Sequence, residues 1–258
     1  MKLNRVLLLF IITLFPCLEA WADKLYLVKF GESLYPSELT NRSGSTSIKM
    51  GWYFYYFEKE SFKILIDSGV LDVKNVSKFR IQNYKSPKEL LLKKGISPDS
   101  ITDIFITHNH FDHIEGVLNF PKAKIHIQLL EYENLKKSDF YKKHKEFFLN
   151  KENENLLFQY KGESEIYNMI YLIPTNGHTI GSQAIEIKTE NSHYLFTGDE
   201  CYYVKECKKG IGTFPKALYS FKKNLLFMKK LQDYLINSKV KILTMHDPEL
   251  ENELEVIE

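Results

Sequence analysis

The chain has few cysteines, no long apolar run and no surplus of charge of one sign. Its 258 residues hold three cysteines, Cys17, Cys201 and Cys207, too few for a disulfide scaffold. One bridge between Cys201 and Cys207 is conceivable in an oxidising compartment, but packing or pocket roles compete with it. The apolar stretch Val6 to Phe15, interrupted by Thr13, falls well short of the ~20 residues that a membrane span needs. Lys and Arg number 35 against 33 Asp and Glu, so nothing pulls the whole chain toward nucleic acid. At 44% apolar and 26% charged, the composition excludes disorder and suits a packed globular chain. The length allows one or two domains.

Met1 to Ala22 reads as a secretory signal. Lys2 and Arg5 form a basic start, the apolar stretch follows, and Ala20-Trp21-Ala22 is a small-x-small cleavage site. A lipoprotein signal at Cys17 is the competing reading, and Phe15-Pro16 ahead of it is a poor match for one. Cleavage after Ala22 would remove Lys2, Arg5 and Glu19 and leave 33 basic against 32 acidic residues, a balance of +1. The expectation is an exported protein, periplasmic or secreted, with a single domain over 23–258.

The remaining chain alternates strands with short helices. Lys24 to Phe30 reads as a strand, and Gly31 to Ser47, rich in Ser, Thr, Gly and Pro, as a loop. Trp52 to Phe57 and Phe62 to Ile66 form a hairpin, and Asp67-Ser68-Gly69 closes it as a turn. Pro87 to Lys94 is a helix capped by Ser86 and ended by Gly95. Ile101 to Ile106 reads as a buried strand, Ala123 to Ile127 as a strand, and Leu129 to Lys136 as a helix. Ser138 to Gly162 reads as an amphipathic surface helix whose aromatics are also placed to cap a site. Strands follow at Ile170 to Ile173, Gln183 to Lys188, His193 to Phe196 and Val240 to Met245. Between the last two lies a mostly helical stretch, Phe214 to Ile236.

Chemistry concentrates at Thr107-His108-Asn109-His110-Phe111-Asp112-His113. The chain has 8 histidines, and three of them stand here with an aspartate on the loop that leaves a strand. In an extended segment, H-x-H puts two imidazoles on one side. Asp112 and His113 follow where the chain turns, so they can face a second point nearby. That suits two adjacent metal ions better than one. Three further strand ends terminate in the same residue types: His178 in Gly177-His178-Thr179, Asp199 in Gly198-Asp199, and His246 in His246-Asp247-Pro248. Singly, each reads equally well as a turn or packing residue. Four such ends in one chain argue for a shared site. His126, His144 and His193 lie within strands or a charged helix and read as structural or solvent-facing.

With these motifs in this order, the chain from about Lys24 to Pro248 resembles the metallo-β-lactamase superfamily. Within it, the text Gly95-Ile96-Ser97-Pro98, Ile104-Phe105-Ile106-Thr107-His108, His110-Phe111-Asp112-His113, Phe120-Pro121-Lys122-Ala123, Gln128 to Tyr132 and His246-Asp247-Pro248 is similar to the N-acyl-homoserine lactone lactonases, the quorum-quenching branch. The resemblance implies an α/β fold, a four-layer αβ/βα sandwich of two mixed sheets with helices outside. It implies two divalent metal ions, for which zinc fits the cysteine-free ligand set. His108, His110 and His178 would bind one ion, and Asp112, His113 and His246 the other. Asp199 would bridge them together with a hydroxide that opens the lactone ring. Asp67 and Thr107 would fix the imidazoles. Tyr202, three residues past the bridging aspartate, occupies the position of the branch's substrate-binding tyrosine. Asp112 would also shuttle a proton to the leaving oxygen. Ile114-Glu115-Gly116 departs from the branch's small Ala-Gly-Gly.

The implied partner is a small ester or lactone, with neither nucleic acid nor a membrane span involved. Thioester, β-lactam and phosphodiester hydrolysis remain alternatives at the same site, and a non-catalytic metal-binding protein is a further one. The acidic tail Glu249 to Glu258 argues against a glutathione thioesterase, and the even charge against a nuclease. His110 stands where diiron oxidoreductases of this superfamily carry an acid.

Overall fold

In the computed structural model, residues 23–36 and 47–258 are described. Residues 1–22, read above as a signal and including Cys17, lie outside them, as does most of the expected loop, 37–46. Twelve strands among the described residues form two mixed sheets. The first holds β1 (Lys24–Pro36), β2 (Ser47–Lys59), β3 (Phe62–Ile66), β4 (Asp103–Phe105), β5 (Lys124–Gln128), β6 (Leu157–Tyr160) and β12 (Glu255–Ile257), in the order β12-β1-β2-β3-β4-β5-β6. The second holds β7 (Ser164–Ile166), β8 (Ile170–Pro174), β9 (Gln183–Lys188), β10 (His193–Phe196) and β11 (Lys241–Leu243), in the order β11-β10-β9-β8-β7.

The run Trp52 to Phe57 explains the layering. Alternate residues of a strand face opposite sides, and here both sides are apolar. Trp52, Phe54 and Tyr56 enter the core under the first sheet's helices. Tyr53, Tyr55 and Phe57 enter the core between the sheets, with Ile170, Ile185 and Phe196 opposite. A third core, with Leu195, Met228 and Leu231, lies on the far side of the second sheet. The helices are α1 (Val73–Lys78), α2 (Pro87–Lys93), α3 (Phe111–Ile114), α4 (Leu129–Lys136), α5 (Asp139–Asn153), α6 (Val204–Cys207) and α7 (Phe221–Asn237). The result is a four-layer αβ/βα sandwich. None of the described helices is long and apolar enough to cross a membrane.

Local signals hold where they were strong. Ser86 caps α2 in a reciprocal capping box with Glu89, and the β9–β10 hairpin has the expected bounds. The expected loop from Gly31 is a correction: β1 runs on to Pro36, pairing from Gly31↔Trp52 to Pro36↔Ser47 past a bulge after Lys29. Partner strand β2 overrides the turn-like composition there. The helix expected to Gly162 ends at Asn153 and gives way to edge strand β6. Tyr141 and Phe148 of α5 are buried in the first core rather than over a site. The acidic tail adds β12 to the first sheet, parallel to β1, with Glu251 paired to Lys29 at 3.0 Å.

His126 is structural, as expected. It is buried with Nε2 2.7 Å from Asp103 and Nδ1 2.8 Å from Tyr160.

Candidate metal centre

Five strand ends meet at one edge of the sandwich. β3 runs into Asp67, β4 into the histidine loop, β8 toward His178, β10 into Asp199 and β11 into His246. His110 caps α3, whose first turns carry Asp112 and His113. Gly198 holds a φ of 54° beside Thr107, a conformation open to glycine that turns the chain so that Asp199 faces the loop.

All seven sequence-picked ligands converge. His108, His110, His178 and Asp199 form one set, and Asp112, His113, Asp199 and His246 the other, with the donor atoms of each set within 4.8 Å of one another. Asp199 is common to both. Its Oδ2 lies 3.4 Å from His178 Nε2 and 3.9 Å from His108 Nε2. Its Oδ1 lies 3.4 Å from both His113 Nε2 and His246 Nε2.

Hydrogen bonds behind the rings select the tautomers. Asp67, fully buried, accepts from the Thr107 backbone N–H and hydroxyl, each at 2.7 Å. It also accepts from His113 Nδ1 at 2.7 Å. Because the Thr107 hydroxyl gives its proton to Asp67, it accepts one from His108 Nδ1 at 3.0 Å. His246 Nδ1 donates to the Gly51 carbonyl at 2.9 Å. His108, His113 and His246 therefore all present an Nε2 lone pair to the centre. The turn at Asp67, with its φ of 60°, is thus also the anchor that the resemblance implied.

The residues present fit metal ions. His110 Nδ1 lies 3.1 Å from His108 Nε2 and 3.0 Å from His178 Nε2, a convergence of lone pairs that a cation relieves. His113 Nε2 and Asp199 Oδ1 are buried with no hydrogen-bond partner. Burial pushes the His178 imidazole down to about 3 and holds His108 well below the usual range, helped by neighbouring imidazoles. Both rings thus stay neutral and able to ligate. At the second set, burial would also lower His113, but Asp112, Asp199 and Asp67 outweigh it and raise it well above its usual range. Three carboxylates there attract positive charge.

Two buried carboxylates that the sequence did not single out hold the loops. Glu131 on α4 accepts from Asn109 N–H, Thr179 Oγ1 and Gly181 N–H, each at 2.8 Å. Glu200 Oε1 accepts from His178 N–H at 2.9 Å, Gly177 N–H at 3.2 Å, Thr175 Oγ1 at 2.6 Å and Ser182 Oγ at 2.8 Å. Glu115, in the departing triplet, is buried and accepts from the N–H groups of Leu71 and Asp72 at 3.0 and 2.7 Å. It ties the helix after the metal loop to the segment after β3.

The centre opens into a cavity of about 380 Å³ whose walls include Tyr35, Met50, Trp52, Phe79, Phe111 and Phe214. Tyr202 is on that wall too, its ring 5.0 Å from that of His246. Burial, then the Asp199 charge, pushes its phenol well above the ordinary range, so it keeps its proton and can donate. Cys201 and Cys207 form a disulfide, which settles the question left open above and closes a short loop around Tyr202.

Asp67→Ala is expected to lower metal affinity by roughly 10–100-fold, because His113 and Thr107 lose their common acceptor. Metal retained against a chelator series measures it.

Two ligand sets sharing one aspartate, at the edge of an αβ/βα sandwich, define a metal-dependent hydrolase. Residues 53–206 match the family described as the metallo-beta-lactamase superfamily. The chain belongs to that superfamily. It is 27% identical over 243 residues to an N-acyl homoserine lactonase of a Bacillus species, covering 88% of this chain and 94% of that one. It is also 27% identical over 248 residues to N-acyl homoserine lactonase AiiA of Bacillus thuringiensis subsp. kurstaki, covering 90% and 96%. A solved N-acyl homoserine lactone hydrolase with N-hexanoyl-L-homoserine at its catalytic metal centre superposes with a TM-score of 0.74, at 26% identity over 90% of this chain and 96% of that one. AidC, a dizinc quorum-quenching lactonase, shares the fold with a TM-score of 0.66 at 21% identity, over 88% of each chain.

Proposed function

We propose that the protein is a lactonase that opens N-acyl-homoserine lactones at a two-metal centre. The observation that carries this is the placing of Asp199 between two ligand sets, with the Tyr202 phenol on the wall of the same cavity. The near full-length likeness to N-acyl homoserine lactonases supports the substrate class. His108, His110 and His178 would hold one ion, Asp112, His113 and His246 the other, and Asp199 both. The histidine and carboxylate donors suit zinc. Bound ions would polarise the ester carbonyl and lower the pKa of the attacking water from ~15.7 toward ~7.

The protein's own groups supply the rest. Water oxygen bonds to the carbonyl carbon, the ring C–O bond breaks, and the leaving oxygen takes a proton, giving a hydroxy acid. Tyr202 donates from its phenol to the carbonyl oxygen as charge builds there. Asp112, whose Oδ2 lies 3.2 Å from His113 Nε2 and 3.6 Å from His246 Nε2, carries the proton to the leaving oxygen. Aromatic walls hold the acyl part and exclude water. Among the described residues, Lys216 is the single Lys or Arg of that lining, which favours a carboxylic ester over a phosphodiester. Export through the signal segment is part of the same reading, and the Cys201–Cys207 disulfide supports it, since such bonds persist in oxidising compartments.

Tyr202→Phe is expected to keep its metal and lose roughly 10²–10³-fold in kcat. Steady-state kinetics with metal content on one sample tests this. Full activity of the variant on every lactone would remove the role.

A further inference from the structure

The helix that carries Phe79 to the metal cavity has little of its own to hold it there. α1 is six residues long, and none of the six is buried. Helices this short do not persist alone in water. Val76 of α1 and Phe79, its C-cap, lie only partly buried against the first core. Yet Phe79 belongs to the site. Its ring stacks on that of Phe111 at 4.3 Å and stands 6.2 Å from that of Trp52, and all three line the metal cavity.

The polar anchor of α1 is Glu115. Its Oε2 accepts from the N–H groups of Leu71 and Asp72, at the entry to the helix, at 3.0 and 2.7 Å. Its Oε1 accepts from Asn75 Nδ2, inside the helix, at 2.5 Å. The residue is 2% exposed, so these bonds stand in for its water, and leaving the donors without an acceptor would be costly. Backbone contact brings the carboxylate within reach. Gly116 N–H donates to the Gly69 carbonyl at 2.9 Å, and Ser68 N–H to the His113 carbonyl at 2.8 Å. A side chain at Gly116 would meet the Ser68 carbonyl oxygen at 1.8 Å, so glycine lets the two segments lie this close. His113 to Gly116 therefore carry a metal ligand at one end and the α1 anchor beside it. The lactone chemistry proposed above makes no use of that anchor.

We propose that Glu115 is a positioning residue for substrate. Its carboxylate holds α1 so that Phe79 completes the cavity wall with Phe111 and Trp52. Without it, substrate binds more weakly while the metal centre and the chemical step are unchanged. The proposal rests on the metal cavity being the ester-hydrolysing site.

The test compares Glu115→Ala, Glu115→Gln, Phe79→Ala and the Phe79→Ala/Glu115→Ala pair in the metal-loaded protein. Steady-state lactone hydrolysis, metal content and deuterium exchange over residues 71–79 are read on each. Glu115→Ala is expected to keep its metal and raise KM roughly 5–20-fold, the contribution of part of one buried aromatic side chain. Its kcat should stay within about twofold, the signature of lost uniform binding. Exchange over 71–79 should quicken at least roughly tenfold. Glu115→Gln, which still offers an oxygen to Leu71 and Asp72, should bring KM back to within about threefold of the wild type. In the Phe79→Ala background, Glu115→Ala should multiply KM by no more than about twofold, because the carboxylate acts through that ring. If Glu115→Ala does not fold, Asn75→Ala, which removes one of the three bonds from a residue that is not buried, should raise KM about two- to threefold and quicken the same exchange. An unchanged KM, a fall in kcat at constant KM, lost metal, or full additivity with Phe79→Ala overturns the role. Exchange needs no substrate and so separates the two claims. Without lactone turnover, faster exchange in Glu115→Ala keeps the anchor and removes the lactonase, and unchanged exchange removes the anchor. Lactone turnover with KM indifferent to Glu115 removes the positioning role and keeps the lactonase.

Discussion

Replacing Asp199 with alanine is expected to empty both ligand sets at once. Bound metal should fall below one ion per chain, and kcat/KM by roughly 10³-fold or more, since in the proposed mechanism attack at neutral pH would depend on bound ions lowering the water pKa. The reason is geometric. The two carboxylate oxygens of Asp199 face different sets, Oδ2 toward His108 and His178 and Oδ1 toward His113 and His246. Each set would drop from four donors to three. Burial would raise the Asp199 carboxyl, but His113 and His246 hold it well below its usual range. It is therefore a full negative charge among imidazoles, and no neighbouring group replaces it. His178→Ala makes the contrast, because His178 belongs to one set only. That variant should keep roughly half the metal. Elemental analysis after gel filtration, with circular dichroism to show an intact fold, reads both.

Glu200→Ala should destabilise the protein by roughly 2–5 kcal/mol, because it leaves the buried N–H groups of Gly177 and His178 without their acceptor. That corresponds to a drop of about 5–15 °C in Tm for a domain of this size. The carboxylate gathers the whole His178 loop: two backbone donors and the hydroxyls of Thr175 and Ser182 meet at Oε1. Its other oxygen accepts from Asn224 Nδ2 on α7 at 2.6 Å. Loss of the side chain would free His178 and separate α7 from the site edge. Glu200→Gln keeps Oε1 as an acceptor but turns an N–H₂ toward the Asn224 amide, so about half the loss is expected. Thermal unfolding of the metal-free proteins reads the fold directly. Equal Tm values for the wild type and Glu200→Ala would show that the network does not hold the loop.

The parts of this site that could be read from the chain alone are those whose chemistry is local. His108, His110, Asp112 and His113 announce themselves by spacing, and His178, Asp199 and His246 by their place at strand ends. Glu131 and Glu200 did not, because each works through partners that the fold brings from 18 to 50 residues away. In sequence they are two more acids, one on a helix and one beside a likelier-looking aspartate. The same physics separates the strands. β2 carries a continuous apolar run because both faces are covered, and β5 alternates apolar and polar residues, so pattern alone found them. β6, β7 and β12 are short and partly exposed, and only their pairing makes them strands. Tyr35 was hidden for a related reason: it sits in a Ser- and Pro-rich stretch that pairing with β2 turns into strand, and there it lines the metal cavity.

The most direct test of the central claim is proton release from N-acyl-homoserine lactones of several chain lengths, alongside a simple γ-lactone, a β-lactam and a phosphodiester. The metal-loaded protein would be used, with metal content measured on the same sample. Turnover of the homoserine lactones, lost in Asp199→Ala, is the predicted result. A fully metallated protein that ignores every lactone and cleaves another ester would contradict the lactonase assignment.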